Sequence, residues 1–303
     1  MLNTDNQMTK PVKLLFLSFT ILLIFSCRKQ VDIDYNEIEP TPVINSLIEA
    51  GEVIKAHVSY TAVPEGDQLQ GIQQGTVELW VNDEFSRLLS PQRHGWYEST
   101  TIAEKGNTYK IRWVYSDTDY VEGSTYIPPS ATLSNIEHTE VAGMNEEGVT
   151  YPSVSFTIDN IQEGKQYFEV RMRLFRYGSE SDAQLEEIVD PVLINEGLPL
   201  WIFSNELMET DSYRMTLNYT SGSSTSVGGQ WITRLFPFIL ELRSVSEDYY
   251  LFARQKYLYD SGRFPEFGLG ANTAFPIYSN IDGGYGIVAG FSSFSSDTIT
   301  PTY

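Results

Sequence analysis

Cysteine is almost absent: Cys27 is the only one in 303 residues. No internal disulfide can form, so stability in an oxidising compartment must come from packing. Histidine is nearly as scarce. His57, His94 and His138 are each isolated from acidic or Cys partners at metal-ligand spacing, and His57 falls on the polar face of an alternating segment, the position of a solvated surface histidine. The 20 basic residues are outnumbered by 40 acidic ones, leaving a formal charge of −20. A surface of that sign repels phosphate backbones, which excludes nucleic acid as a partner, and it repels anionic headgroups as well. There is no G-x-S-x-G elbow, no phosphate loop and no dinucleotide fingerprint. These absences nominate no catalytic residue, no metal and no cofactor, and the chain is read as a non-enzyme.

What is present begins at the N-terminus. Leu14 to Phe25 is an uncharged apolar stretch preceded by Lys10 and Lys13. It is shorter than the roughly 20 residues a spanning helix needs and has the length of a signal-peptide core. It ends in Ile24-Phe25-Ser26-Cys27, with a branched apolar residue at −3, a small residue at −1 and Cys at +1. That is a lipobox, so residues 1–26 are expected to be a lipoprotein signal peptide and Cys27 the lipidation site. Several acyl chains give stable anchoring, at about 0.8 kcal/mol per buried methylene. Residues 27–42 then read as the lipidated Cys and a polar tether closed by Pro40 and Pro42.

The rest of the chain is mainly β. Ile54, Ala56, Val58 and Tyr60 alternate with Lys55, His57 and Ser59; Val77 and Leu79 alternate with Glu78 and Trp80; Tyr109, Ile111 and Trp113 alternate with Lys110 and Arg112. Asn82-Asp83 and Lys105-Gly106-Asn107 supply turns. Six or seven strands in about 90 residues is the strand count of an immunoglobulin-like or fibronectin-III-like sandwich, expected over residues 43–128. Pro128-Pro129 cannot continue a strand ladder, so a second, larger β-rich domain is expected over residues 129–303. Its strands include Val154–Ile158, Phe168–Leu174, Tyr213–Tyr219 and Phe238–Leu242. One helix is expected near 246–260, where Ser246 is a potential N-cap, acids follow it, and Tyr249, Phe252, Ala253, Lys256 and Tyr257 recur at helical spacing. Ser221–Gly229 reads as a flexible loop of low complexity.

Few residues suggest chemistry. Asp117-Thr118-Asp119 has a calcium-compatible spacing but too few oxygen ligands for a calcium loop. Glu186-Glu187 is an acidic pair of the kind a hydrolase uses, and more often a solvated face. Trp96-Tyr97, and Tyr249-Tyr250 with Tyr257 and Tyr259, are either stacking platforms for sugars or peptides or core filling. The run Asn280 to Gly286 combines Asn and Asp, which bond to their own backbone in turns, with three glycines that permit close backbone approach; it reads as a structural turn in preference to a ligand loop.

Pro42-Val43-Ile44-Asn45, Gly75-Thr76-Val77-Glu78-Leu79, Gly95-Trp96-Tyr97, Gly106-Asn107-Thr108-Tyr109 and Ser279 to Gly286, following the lipobox in that order, resemble the Bacteroidota lipoproteins grouped as domain-of-unknown-function family 4249. The resemblance implies an outer-membrane lipoprotein encoded near TonB-dependent receptors, and Cys27 is the one functional position it carries over. Acids soon after the lipidated Cys favour surface display in that phylum; here Arg28-Lys29-Gln30 intervene, so the periplasmic and cell-surface faces both stay open. The expected function is a lipid-anchored accessory or binding protein that works with a TonB-dependent receptor in nutrient uptake. The alternatives are a surface adhesin or structural envelope lipoprotein and, last, a secreted hydrolase.

Overall fold

The computed structural model describes residues 40–61, 75–208, 211–262 and 277–301, and Pro40–Tyr303 forms one compact unit. Cys27, the expected signal segment and all but the end of the expected tether lie outside the described residues. The chain is mainly β, as its alternating pattern implies. Strands β1 (Pro42–Glu49), β2 (Val53–Tyr60), β3 (Thr76–Val81), β4 (Glu84–Leu88), β5 (Ser90–Pro91), β6 (Trp96–Ile102), β7 (Thr108–Val114) and β8 (Tyr120–Tyr126) precede the double proline. After it come β9 (Thr132–Met144), β10 (Val149–Asp159), β11 (Tyr167–Arg176), β12 (Ser179–Asp182), β13 (Gln184–Leu185), helix α1 (Pro191–Glu196), β14 (Ile202–Ser204), β15 (Ser212–Thr220), β16 (Ser224–Val227), β17 (Gln230–Thr233), β18 (Phe238–Val245), helix α2 (Glu247–Gly262) and β19 (Tyr285–Ser295).

One nine-stranded sheet organises the molecule, in the order β12-β11-β18-β19-β1-β2-β6-β5 with β14 beside β11. The four-stranded sheet β4-β3-β7-β8 covers one half of it. Between them lie Ile44, Ile54, Ala56, Val58, Leu79, Ile111, Trp113 and Val121, all essentially inaccessible to water. The six-stranded sheet built on β13-β15-β10-β17-β16, with β9 beside β10, covers the other half. Its core is Val154, Phe156, Ile158, Phe168, Val170, Leu174, Met215, Leu217, Leu240 and Leu242. Two sandwiches thus share a sheet.

Pro128-Pro129 falls between the two cores, but the first core also takes Ile281 and Val288 from the end of the chain. The link is β19, which pairs parallel with β1 from Val43↔Tyr285 to Glu49↔Phe291 and antiparallel with β18. Ile287 to Ser292 are buried continuously, the signature of a central strand covered on both faces.

Helix α2 starts as its sequence requires. The Ser246 hydroxyl accepts from the Tyr249 backbone N–H at 3.2 Å, and Glu247 and Asp248 occupy the first turn. Two local expectations are corrected. Ser221–Gly229 is not a loop throughout: Ser224–Val227 pairs with Gln230–Thr233 in a hairpin, because Gly228 and Gly229 both take positive φ (60° and 88°) and make the two-residue turn that hairpins favour. Among the described residues the second half also holds two helices where one was expected. Asp190 caps α1 by accepting from Val192 N at 3.0 Å, Pro191 takes the first turn, and Gly197 ends it in the left-handed region.

Candidate functional site

The outer face of the shared sheet, away from both cores, carries His57 and Trp96 and, under the C-terminal helix, packs against Tyr249 and Tyr250. Helix α2 lies over β19, β11 and β14 there, and a chain of tyrosine–carboxylate–arginine contacts joins it to the sheet. Tyr250 donates to Glu196 Oε2 at 2.5 Å, and Arg254 reaches the same oxygen at 2.7 Å and the Glu196 carbonyl at 2.8 Å. The other Glu196 oxygen accepts from Ser204 N at 2.7 Å. Tyr249 donates to Glu169 at 2.8 Å, and Arg243 binds Glu241 at 2.6 Å and Glu169 at 3.2 Å. Tyr167 donates to Glu247 and Tyr278 to Asp248, at 2.6 and 2.8 Å.

The electrostatics follow from burial and these partners. Burial first, then Glu169 and Glu196 respectively, raises the pKa of Tyr249 and Tyr250 well above the usual phenol value. Burial and then the Asp248 carboxylate push Tyr278 up to about 12. Burial opposes the Arg243 charge, but Tyr249, Glu241 and Glu169 outweigh it, so Arg243 stays cationic. Tyr249-Tyr250 therefore act as helix-to-sheet fasteners, and their phenols are donors. None of Asp190, Glu169, Glu196, Glu241 or Arg243 was nominated from sequence. Glu169 meets Tyr249 and Arg243, and Glu196 meets Tyr250 and Arg254, across more than fifty positions of sequence, and only the fold brings them together.

The remaining candidates separate cleanly. Tyr97 is core, 2% exposed, whereas its neighbour Trp96 is 48% exposed. Trp96 tilts against His57 at 5.1 Å, and the His57 ring contacts the His94 carbonyl oxygen at 3.0 Å. His138 is half-buried against Phe238 and Tyr219, 3.0 Å from the Tyr219 hydroxyl. Burial lowers its pKa, against the opposing pull of Glu140. Asp117-Thr118-Asp119 forms the β7–β8 turn, where Asp119 accepts from the Ser116 hydroxyl at 2.7 Å. Among the described residues no three His, Cys, Asp or Glu side chains converge to hold a metal ion. Glu187 accepts from Tyr151 at 2.6 Å and Glu186 from Asn145 at 3.2 Å.

Asn280 to Gly286 pins the first sandwich shut. The Asn280 amide spans two strands, donating to Ser124 O at 3.0 Å and Val288 O at 2.8 Å while accepting from Val288 N at 2.9 Å. Gly286 has φ of 112°, and a Cβ there would overlap the Ile44 carbonyl oxygen. The geometry is that of the structural turn.

A cleft of about 520 Å³ lies where the two sandwiches meet, lined by Tyr126, Pro128, Lys165, Tyr167, Glu247 and Asp248 among others. A second, of about 530 Å³, lies on the first sandwich beside Lys55, Arg93, Trp96 and Glu98. Both have the size of small-ligand sites.

The sequence profile of a family described as "Domain of unknown function (DUF4249)" matches residues 28–297. No protein of curated function matches the chain. Among solved structures, it is similar to one titled apo structure of Bacteroides uniformis beta-glucuronidase 3, at 11% identity over 67% of this chain and a TM-score of 0.19. The chain spans only 23% of that enzyme's length.

Proposed function

The chain belongs to the DUF4249 family, and from that premise we propose that it is a lipid-anchored accessory or binding protein of the outer membrane, held by Cys27 and working with a TonB-dependent receptor in nutrient uptake. The observation that carries the reading is how the carboxylates are used. Glu186 and Glu187, the pair that a hydrolase reading would need, are engaged by Asn145 and Tyr151. The buried Glu196 and Glu241 are bound to arginines that fasten α2 and the sheet. Aromatic and apolar side chains, in contrast, are displayed: Trp96, Tyr285, Leu47 and Ile102 are each about half exposed on the outer face of one sheet. Exposed groups of this kind are the usual anchors of a modest interface. Such an interface suffices when a tether confines both partners to one membrane. The thirteen residues 28–40 of the tether reach at most ~45 Å, and confinement raises the effective concentration.

The test is affinity purification of a tagged strain after mild detergent extraction, followed by quantitative mass spectrometry. A TonB-dependent receptor should be enriched over an unrelated lipoprotein control, and much less with Cys27→Ala. Equal recovery from the control would end the receptor reading.

A further inference from the structure

We propose that the cleft beside Trp96 is a binding subsite for an acidic saccharide, a sugar ring bearing a carboxylate or sulfate. The indole stands at the start of β6, where the His57↔Trp96 and Lys55↔Glu98 register places all four side chains on the outer face of the sheet. His57 supports one side of the ring, and about half of the residue stays open to solvent. An aromatic surface of that kind takes up the C–H face of a sugar ring by dispersion and by its quadrupole. The turn that delivers Trp96 is unusual: His94 holds a left-handed conformation (φ 58°, ψ 41°), a region that costs a non-glycine residue of order 1–3 kcal/mol. That turn places Arg93 in the lining of the same cleft.

The charges choose the ligand class. In a chain of net charge −20, the cleft is lined by two cations, Lys55 and Arg93, and one carboxylate, Glu98. Arg93 is exposed and has no carboxylate partner among the described residues. Lys55 and Glu98 stand 3.3 Å apart with side chains 54% and 38% exposed; a pair so open to solvent contributes little. A ligand that satisfies this set presents an anion to Arg93 and Lys55, hydroxyl donors to Glu98, and an apolar ring face to Trp96. A neutral sugar leaves the arginine unused. An aromatic acid without hydroxyls leaves Glu98 facing the ligand without a donor. An acidic sugar meets all three demands.

This inference rests on the reading of the chain as a binding protein and not on its receptor. The test therefore uses the purified mature chain alone, so that a failed pull-down and a failed titration remain separate results. The probe is a trigalacturonate, titrated by calorimetry, with a neutral maltotriose and an acidic tripeptide as the other arms. The acidic saccharide should bind, the neutral one more weakly, and the peptide not at all. Trp96→Ala and Arg93→Gln should each weaken binding about tenfold or more, while Trp231→Ala, an exposed tryptophan of the other sandwich, should leave it unchanged. Raising the salt concentration should weaken the wild type and have less effect on Arg93→Gln. If Trp96→Ala does not fold, Trp96→Phe with Arg93→Gln carries the test. No saccharide binding by the wild type, binding indifferent to both Trp96 and Arg93, or a preference for the peptide would overturn the proposal.

Discussion

Asn280 shows how much one side chain can hold when it stands in for backbone. Its amide makes both the donor and the acceptor contact that a neighbouring strand would offer to Val288, and its second donor reaches Ser124 on β8. These three bonds keep the C-terminal segment against the first sandwich where regular pairing gives out. Alanine at 280 would strand the N–H and C=O of the buried Val288, so Asn280→Ala should lower stability by about 1–3 kcal/mol. Urea unfolding of the two proteins measures it. Asn280→Asp retains the acceptor but loses both donors, and should fall between them or below alanine if its charge is poorly solvated. A loss under about 0.5 kcal/mol for alanine, the range of ordinary surface substitutions, would mean that water replaces the amide and that the motif has another purpose.

Helix α2 illustrates how an element with little amphipathic contrast is held in place. It presents tyrosines to carboxylates of the sheet and of α1, so its docking depends on the phenols staying protonated. The folded-state pKa values of Tyr249, Tyr250 and Tyr278 are raised, by burial first and then by the neighbouring carboxylates. For a raised pKa the stabilisation is fully present below the unfolded value near 10 and is lost as pH rises toward the folded one. Tyr250→Phe should cost ~1.5–3 kcal/mol at pH 8, the range for a bond to a charged acceptor. The gap between it and the wild type should then narrow above pH 10, since only the wild type carries that titration. Denaturant midpoints from pH 8 to 11.5 report this, and a gap that stays constant would contradict it. At this scale the sequence was readable where local rules act. Alternation located β2, β3, β7, β10, β11, β15 and β18, and Ser246 marked the start of α2. It was unreadable where composition is ambiguous, as in the Ser-rich β16–β17 hairpin, whose serines and threonines suit loop and strand alike. The short α1 was missed although Asp190-Pro191 and Gly197 carry its cap signals, because six residues show no apolar period. Of the site, Trp96 was visible as a candidate, but only the cross-strand register could bring Lys55, Glu98 and His57 to its side.

The whole molecule depends on a pairing that no local pattern announces. The parallel ladder between β1 and β19 joins residues more than 240 positions apart, from Val43↔Tyr285 to Glu49↔Phe291, and it makes the two cores share one sheet. Val288 and Ile281 fill the first core from the far end of the chain. A fragment of residues 40–128 therefore lacks its β19 and exposes the edge of β1, with Ile44 and Ile48 beside an unfilled seam. Unpaired edges and apolar surface of that kind favour aggregation over folding. The fragment is predicted not to fold alone, whereas the same fragment with residues 277–297 fused through a flexible linker should recover a Trp113-centred near-ultraviolet signal. The intact chain should unfold in one cooperative transition, since loss of β19 removes a strand from both sandwiches at once. Trp113 lies in the first core and Phe203, at the second, can be replaced by a tryptophan reporter; the two probes should give coincident urea curves. Two separated transitions, or a fragment of 40–128 that folds without β19, would show that the shared sheet transmits little stability between its halves and that the double proline at 128 and 129 divides the chain energetically as well as in sequence.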